Sequence, residues 1–119
     1  ACAPHCNPMN PALDDPDLRA LLRATLAATP AGGAVICLCA AWCGTCRAYE
    51  PGFRQAAAAH PALAFRWLDV EDDADALGDL DIETFPTLVI GGADGAVRFA
   101  GPVLPQPAQI TRLLHSLGL

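Results

Sequence analysis

Lysine is absent from this chain of 119 residues, so all seven of its basic side chains are arginines, against 13 acidic side chains. The formal net charge is −6. Because nucleic-acid affinity is built from clustered positive charge, this balance argues against a phosphate-binding surface. We therefore expect no nucleic-acid partner.

Long apolar runs are also missing, although 53% of the residues are hydrophobic. No stretch approaches the roughly 20 apolar residues that cross a bilayer, and the first residues lack the basic start and apolar middle of a signal peptide. We expect a soluble protein with no membrane partner and a cytoplasmic location, or a periplasmic one if a signal peptide was removed. The composition suffices for the core of one domain, and the length leaves no room for a second.

The N-terminal residues contain three prolines and no periodic apolar pattern, which predicts an irregular arm over residues 1–12 before a domain over residues 13–119. Cys2, His5 and Cys6 in this arm leave three interpretations open. They are a second redox pair, a soft metal site, or a segment without a functional role.

The spacing of apolar residues and turn residues predicts an alternating order of helices and strands. Asp14 or Asp15 is expected to cap a first helix whose first turn contains Pro16. Strands are predicted at 34–40, 64–70, 87–91 and 96–100, and further helices from the cysteine motif through His60, over 71–77 and over 106–117. This order predicts an α/β fold of three layers, in which a mixed sheet of about four strands lies between helices. We interpret the acidic run 69–81 as a solvated face.

Four of the six cysteines lie within ten residues, where the strand at 34–40 leads into a helix. Cys43 and Cys46 are three residues apart on one helix face, close enough for a disulfide, and the free amide groups of the first turn stabilise a thiolate on Cys43. We predict Cys43 as the nucleophile and Cys46 as the more buried second thiol. A zinc half-site or a static disulfide is the alternative, since a Cys-x-x-Cys pair alone does not separate them.

Two more cysteines, Cys37 and Cys39, alternate with apolar residues on the predicted strand. We interpret both as small buried hydrophobic side chains. Free buried thiols of this kind suit a reducing compartment.

The residues around the dithiol resemble those of the thioredoxin superfamily, and the resemblance extends from about Leu18 to the C-terminus. Pro51 lies five residues after Cys46, where the family's helix usually carries a kinking proline. Phe85-Pro86-Thr87 resembles the segment that holds the family's cis-proline beside the dithiol. The resemblance implies a thioredoxin-like fold, here with its first strand expected to be absent.

The same resemblance implies a thiol-disulfide oxidoreductase that reduces protein disulfides. The Cys43 thiolate would attack a substrate disulfide, and Cys46 would then displace the reduced product. A thiol reductase or small thiol would donate electrons, no cofactor or metal is expected, and the protein is expected to be a monomer. The implied substrate-binding residues are Trp42, Gly44, Thr45, Phe85 and Pro86. The alternative is a redox-sensitive adaptor or metal-handling module on the same fold.

The chain departs from the family at a buried aspartate thought to relay a proton to the resolving cysteine. Cys37 occupies that position, and Trp67 appears in place of a nearby lysine. Losing the acid and the base together leaves no lone buried charge. The hypothesis that follows is that Cys46 is deprotonated through water or through Cys37, which would slow the resolving step near neutral pH.

Overall fold

The computed structural model describes residues 15–78, 82 and 85–119. The predicted arm at 1–12, with Cys2, His5 and Cys6, lies outside these residues, as does the predicted domain boundary at residue 13. The described elements, in chain order, are α1 (Pro16–Ala28), β1 (Gly33–Cys39), α2 (Gly44–Ala59), β2 (Ala64–Asp69), α3 (Ala74–Leu77), β3 (Thr87–Gly92), β4 (Val97–Pro102) and α4 (Ala108–Ser116). The predicted order of elements is confirmed.

The strands of the described part form one mixed sheet in the order β2-β1-β3-β4. β1 pairs with β2 in parallel and with β3 antiparallel, and β3 pairs antiparallel with β4. The central position of β1 buries every one of its residues. Its C-terminal end therefore leads into the cysteine segment from the buried interior of the sheet.

Helices cover both faces of the sheet, which confirms the three-layer α/β architecture. One apolar cluster joins α1 and α3 to residues such as Ile36 and Leu38 of β1. The other joins α2 and α4 to the alternate residues Val35, Cys37 and Cys39. Since successive strand residues point to opposite faces, β1 places two cysteines against the helix that carries the dithiol.

Local signals in the sequence explain where most elements begin and turn. Asp15 caps α1 by accepting a hydrogen bond from the amide of Asp17 at 2.8 Å, ahead of the first helical residue, Pro16. The β3–β4 hairpin turns at Gly95, whose φ of 79° lies in the left-handed region. Pro51 lies inside α2, as the sequence predicted.

The acidic segment after β2 differs from its prediction. The sequence predicted a helix over 71–77, whereas α3 begins only at Ala74. The carboxylate of Asp69 accepts hydrogen bonds from the amides of Glu71 and Asp72, at 2.9 and 3.0 Å, and holds these residues in a turn. The side chain thus competes with the helical hydrogen bonds that the pattern favoured. Within the described residues, no helix is long and apolar enough to cross a bilayer.

Candidate functional site

The nucleophile predicted from the sequence, Cys43, occupies the N-cap of α2. Its thiol is free and partly exposed, and its side chain makes no capping hydrogen bond. Gly44 and Thr45 follow as exposed residues of the first helical turn. The Cys43 thiol therefore lies at the end of α2 where the first amides lack partners within the helix, and it is open to solvent.

The second predicted thiol, Cys46, lies in the first turn of α2 and is only 1% exposed. Its sulfur is bonded to that of Cys39, the last residue of β1, with 5.7 Å between the two Cα atoms. The structure therefore pairs Cys46 with Cys39 and leaves Cys43 unbonded. The sequence interpretation of Cys39 as a plain buried hydrophobic side chain is corrected, because the end of β1 faces the first turn of α2.

A third buried sulfur belongs to Cys37, whose Sγ lies 3.6 Å from the Sγ of Cys39. Burial raises the pKa of the Cys37 thiol far above its ordinary value, and the carboxylate of Glu50 adds to this effect. Cys37 is therefore a neutral thiol at pH 7. Trp67 is its partner on β2, which places the tryptophan directly beside the position of the family's aspartate.

The hydroxyl of Tyr49 is buried next to this cluster and has no hydrogen-bond partner among the described residues. Burial raises the pKa of Tyr49, and Cys37 contributes to the same shift. Both groups therefore stay protonated over the physiological pH range. Neither supplies a charged base to the sulfurs.

A groove of about 300 Å³ runs beside Cys46 and opens to solvent. Carboxylates of Glu50, Asp69 and Asp72 line it together with Trp67 and residues of the β1–α2 connection. This groove brings polar groups to the buried end of the dithiol. Cys46 therefore adjoins an open groove in this chain, where the family usually has a buried aspartate.

Asp69 is a site residue that the sequence reasoning missed. Its carboxylate accepts hydrogen bonds from the amide of Ala41, in the connection that leads to Cys43, and from the amides of Glu71 and Asp72. These hydrogen bonds lower the pKa of Asp69, with Asp72 and Glu71 contributing most. An aspartate at a strand end, followed directly by a turn, was the available signal.

The predicted substrate-binding residues Trp42, Phe85 and Pro86 come together around the dithiol. The peptide bond between Phe85 and Pro86 is cis. Trp42 is 63% exposed, and its ring meets that of Phe85 edge to face, with 5.7 Å between the ring centroids. The indole nitrogen of Trp42 donates a hydrogen bond to Glu71 at 2.9 Å, which holds the exposed ring in place.

No group of three or more His, Cys, Asp and Glu side chains among the described residues is arranged to hold a metal ion. The zinc half-site considered for Cys43 and Cys46 therefore lacks further ligands within this part of the chain. The three residues of the N-terminal arm that suggested a metal site lie outside it.

Comparison with known proteins places this geometry in a family. The thioredoxin family model matches residues 23–106. The chain is 39% identical over 70 residues to putative thioredoxin 2 of Streptomyces coelicolor, an alignment that covers 58% of this chain and 52% of the relative. It is 34% identical over 68 residues to thioredoxin H2-1 of Oryza sativa, covering 56% of this chain and 49% of the relative. The alignments thus span about half the length of these curated relatives.

Solved structures agree on the fold. Fasciola hepatica thioredoxin superposes with a TM-score of 0.68 at 21% identity, over 80% of this chain and 89% of that one. The oxidised mitochondrial thioredoxin 3 of Saccharomyces cerevisiae superposes with a TM-score of 0.65 at 23% identity, over 81% and 89%. With the family model spanning most of the sequence, the described fold and the dithiol segment lead to one conclusion: the chain belongs to the thioredoxin family.

Proposed function

We propose that this protein is a thiol-disulfide oxidoreductase that reduces disulfides in other proteins. The observation that carries the proposal is the free thiol of Cys43 at the N-cap of α2, with Cys46 one helical turn further on. A thiolate in this position faces solvent and the amides of the first turn, which is the environment of reactive cysteines.

The reaction proceeds through two thiol exchanges. The Cys43 thiolate attacks one sulfur of the substrate disulfide and releases the other as a thiolate, which leaves a mixed disulfide. The Cys46 thiolate then attacks the Cys43 sulfur and releases the second substrate thiolate. The substrate gains two electrons, and the protein is left with one disulfide. A thiol reductase or a small thiol returns the two electrons.

The surface around Cys43 supports a polypeptide substrate rather than a small polar one. Trp42 and Phe85 form one edge-to-face aromatic pair next to the dithiol segment, and Phe85 precedes the cis-proline. Aromatic rings of this kind contribute large contact areas to protein interfaces. Gly44 and Thr45 leave the approach to the Cys43 sulfur unobstructed by bulky side chains.

Deprotonation of Cys46 is expected to use solvent in the adjoining groove. The hypothesis from the sequence named either water or Cys37 as the route. Because burial holds Cys37 as a neutral thiol, it is a poor base at pH 7, whereas the groove reaches Cys46 from solvent. We therefore favour the water route, in a groove whose charged lining comprises Arg47 and the carboxylates of Glu50, Asp69 and Asp72.

We also propose a cytoplasmic location and a monomeric state for the protein. The support for the location is the free thiol of Cys37 in the core, which suits a reducing compartment. Fractionation of cells and sedimentation of the purified protein test these two proposals. Recovery from an oxidising compartment, or sedimentation as a dimer at micromolar concentration, would contradict them.

Reduction of insulin by dithiothreitol, followed by the light scattering of the released chains, tests the activity. We expect the wild type to accelerate the reaction and Cys43→Ser to abolish the acceleration. Cys46→Ser should accumulate a mixed disulfide with the substrate, visible by mass spectrometry. Ala58→Ser makes a change of similar size at an exposed position near the end of α2 and should keep wild-type activity. Acceleration by Cys43→Ser equal to that of the wild type would refute the proposal.

A further inference from the structure

Three cysteines that can form disulfides, Cys39, Cys43 and Cys46, lie where β1 leads into α2. The proposed reaction uses only two of them. Cys46 is bonded to Cys39, while Cys43 keeps a free thiol three residues before Cys46. We propose that Cys46 exchanges between two disulfides, one with Cys43 during turnover and one with Cys39. The exchange converts a dithiol oxidoreductase into a monothiol one. This inference rests on the proposed function, since turnover supplies the Cys43–Cys46 disulfide.

The two disulfides differ in their exposure to solvent. Cys39 and Cys46 are each 1% exposed, so a bridge between them presents little sulfur surface to an attacking thiol, although the groove adjoins Cys46. Cys43 lies at the surface of the same site and is partly exposed. Cys39 stands at the end of the central strand, and the 5.7 Å between its Cα atom and that of Cys46 is within the range of unstrained disulfides.

The exchange is an internal rearrangement without a change in oxidation state. The Cys39 thiolate attacks the Sγ of Cys46, the Cys39–Cys46 bond forms, and the Cys43–Cys46 bond breaks. The electron pair of the broken bond leaves on Cys43 as a thiolate, and Cys39 has lost one proton to solvent. No external oxidant or reductant takes part. Attack by Cys43 on Cys46 reverses the step.

The rearranged protein carries a reactive Cys43 without a resolving partner, and this selects a different substrate class. Such a thiolate can attack a mixed disulfide between a protein and a small thiol, taking up the small thiol and releasing the protein thiolate. A second small thiol then attacks the adduct and releases Cys43 and a small-molecule disulfide. One free small thiol is consumed in each cycle, because the other half of the small-molecule disulfide comes from the substrate. The mixed disulfide of the substrate is thus exchanged for a small-molecule disulfide, and the Cys39–Cys46 bridge stays intact throughout.

Disulfide mapping tests the exchange. The reduced protein is oxidised by an excess of insulin and quenched in acid. Its free thiols are alkylated, and chymotrypsin is used to cleave after Leu38, Trp42 and Tyr49. This places Cys39 on a different peptide from Cys43 and Cys46. We expect most wild-type chains to show alkylated Cys43 and a cross-link between the two peptides.

Three variants make the test decisive. Cys39→Ala should lose the cross-link, and alkylation of Cys43 after oxidation should fall to background. Cys37→Ala is the matched control, because Cys37 is a buried cysteine on the same face of β1 but forms no disulfide. This variant should keep the wild-type pattern of cross-linking and alkylation. Cys43→Ser cannot form the Cys43–Cys46 disulfide from which the exchange starts, so it should form no cross-link when a substrate disulfide is the oxidant. This outcome does not depend on the folding of the Cys39 variant.

The failure of this inference is distinct from the failure of the proposed function. If the wild type reduces insulin but shows no cross-link once it has been oxidised by insulin, the exchange is refuted and the activity stands. The exchange is refuted in the same way if Cys43→Ser cross-links as fully as the wild type under that oxidation. If the wild type does not reduce insulin, the proposed function fails. Cross-linking in Cys43→Ser would then show a structural disulfide without exchange, which also overturns the inference.

Discussion

The carboxylate of Asp69 anchors the segment that carries Cys43, and Asp69→Asn tests this role. The carboxylate accepts three backbone hydrogen bonds, one from Ala41 and two from the turn at Glu71 and Asp72. The amide side chain has the same shape but keeps only one acceptor oxygen. At least one backbone donor must therefore face an amino group, which cannot accept its hydrogen bond.

The expected loss of stability follows from these hydrogen bonds. A hydrogen bond to a charged group contributes about 1.5–3 kcal/mol when it is shielded from water. Because Asp69 is only half-buried and water can replace its bonds, we expect the variant to lose about 1–2 kcal/mol of unfolding free energy. This corresponds to a fall in Tm of roughly 5–10 °C for a domain of this size.

The effect should depend on pH with a definite sign. The hydrogen bonds lower the pKa of Asp69 in the folded protein, whereas the unfolded chain has the ordinary value near ~3.9. The stabilisation by the carboxylate is therefore complete above that value and is lost as the pH falls through the folded-state pKa. Wild-type protein should lose this contribution on acidification, and Asp69→Asn should not.

Urea unfolding between pH 3 and pH 7, followed by tryptophan fluorescence in a phosphine reductant, measures both effects. Asp94→Asn is the matched control, because Asp94 accepts one hydrogen bond, from Ala96 at 3.1 Å, in an exposed hairpin turn. Its effect should be smaller than that of Asp69→Asn. Equal stability of the wild type and Asp69→Asn at pH 7 would refute the anchoring role. A difference that stays constant down to pH 3 would refute the role of the charge.

Two further predictions concern Cys37 and Trp67, at which this chain departs from its family, and the exposed aromatic surface at Trp42. Cys37→Asp should lower the free energy of unfolding by about 3–5 kcal/mol at pH 7, because it buries a charge beside Trp67. Adding Trp67→Lys should recover part of that loss, which a double-mutant cycle measured by urea unfolding would show. Strictly additive losses would contradict this prediction. Trp42→Ala should raise KM for insulin several-fold while reduction of a small disulfide falls much less, because Trp42 is 63% exposed and contributes contact area. An equal fall for both substrates would contradict its role in binding proteins.

Local patterns account for most of the fold because each of them acts within a few residues. Asp15 and Pro16 start α1, and the buried run of β1 and the turn at Gly95 define central parts of the sheet. The prediction of a helix from residue 71 was wrong at its start because the side chain of Asp69 accepts hydrogen bonds from the amides of Glu71 and Asp72. These contacts are local, and the aspartate at the strand end was their signal. The third hydrogen bond of Asp69 comes from Ala41, 28 residues away, and no local pattern predicts such a contact.

The sequence predicted the part of the candidate site that lies in the Cys43–Cys46 motif and the Phe85-Pro86 segment. Cys43 and Cys46 lie where the sequence placed them, at the N-cap and in the first turn of α2, and the cis-proline lies beside the aromatic ring of Phe85. The pairing of Cys46 was not predictable in this way. Alternation along β1 predicts that Cys37 and Cys39 share a face and are buried, but only the position of α2 over that face decides which of them meets Cys46.

The two departures around Cys46 support each other chemically. Cys39 can act in the proposed exchange only as a thiolate, and its sulfur lies 3.6 Å from that of Cys37. An ionised aspartate at position 37 would place a negative charge against that thiolate and disfavour it. The neutral thiol at Cys37 removes this repulsion, at the cost of a nearby proton acceptor for Cys46. The replacement of the family's aspartate by Cys37 and the presence of Cys39 therefore belong together. In this arrangement Cys46 depends on solvent for its deprotonation and gains Cys39 as a second disulfide partner.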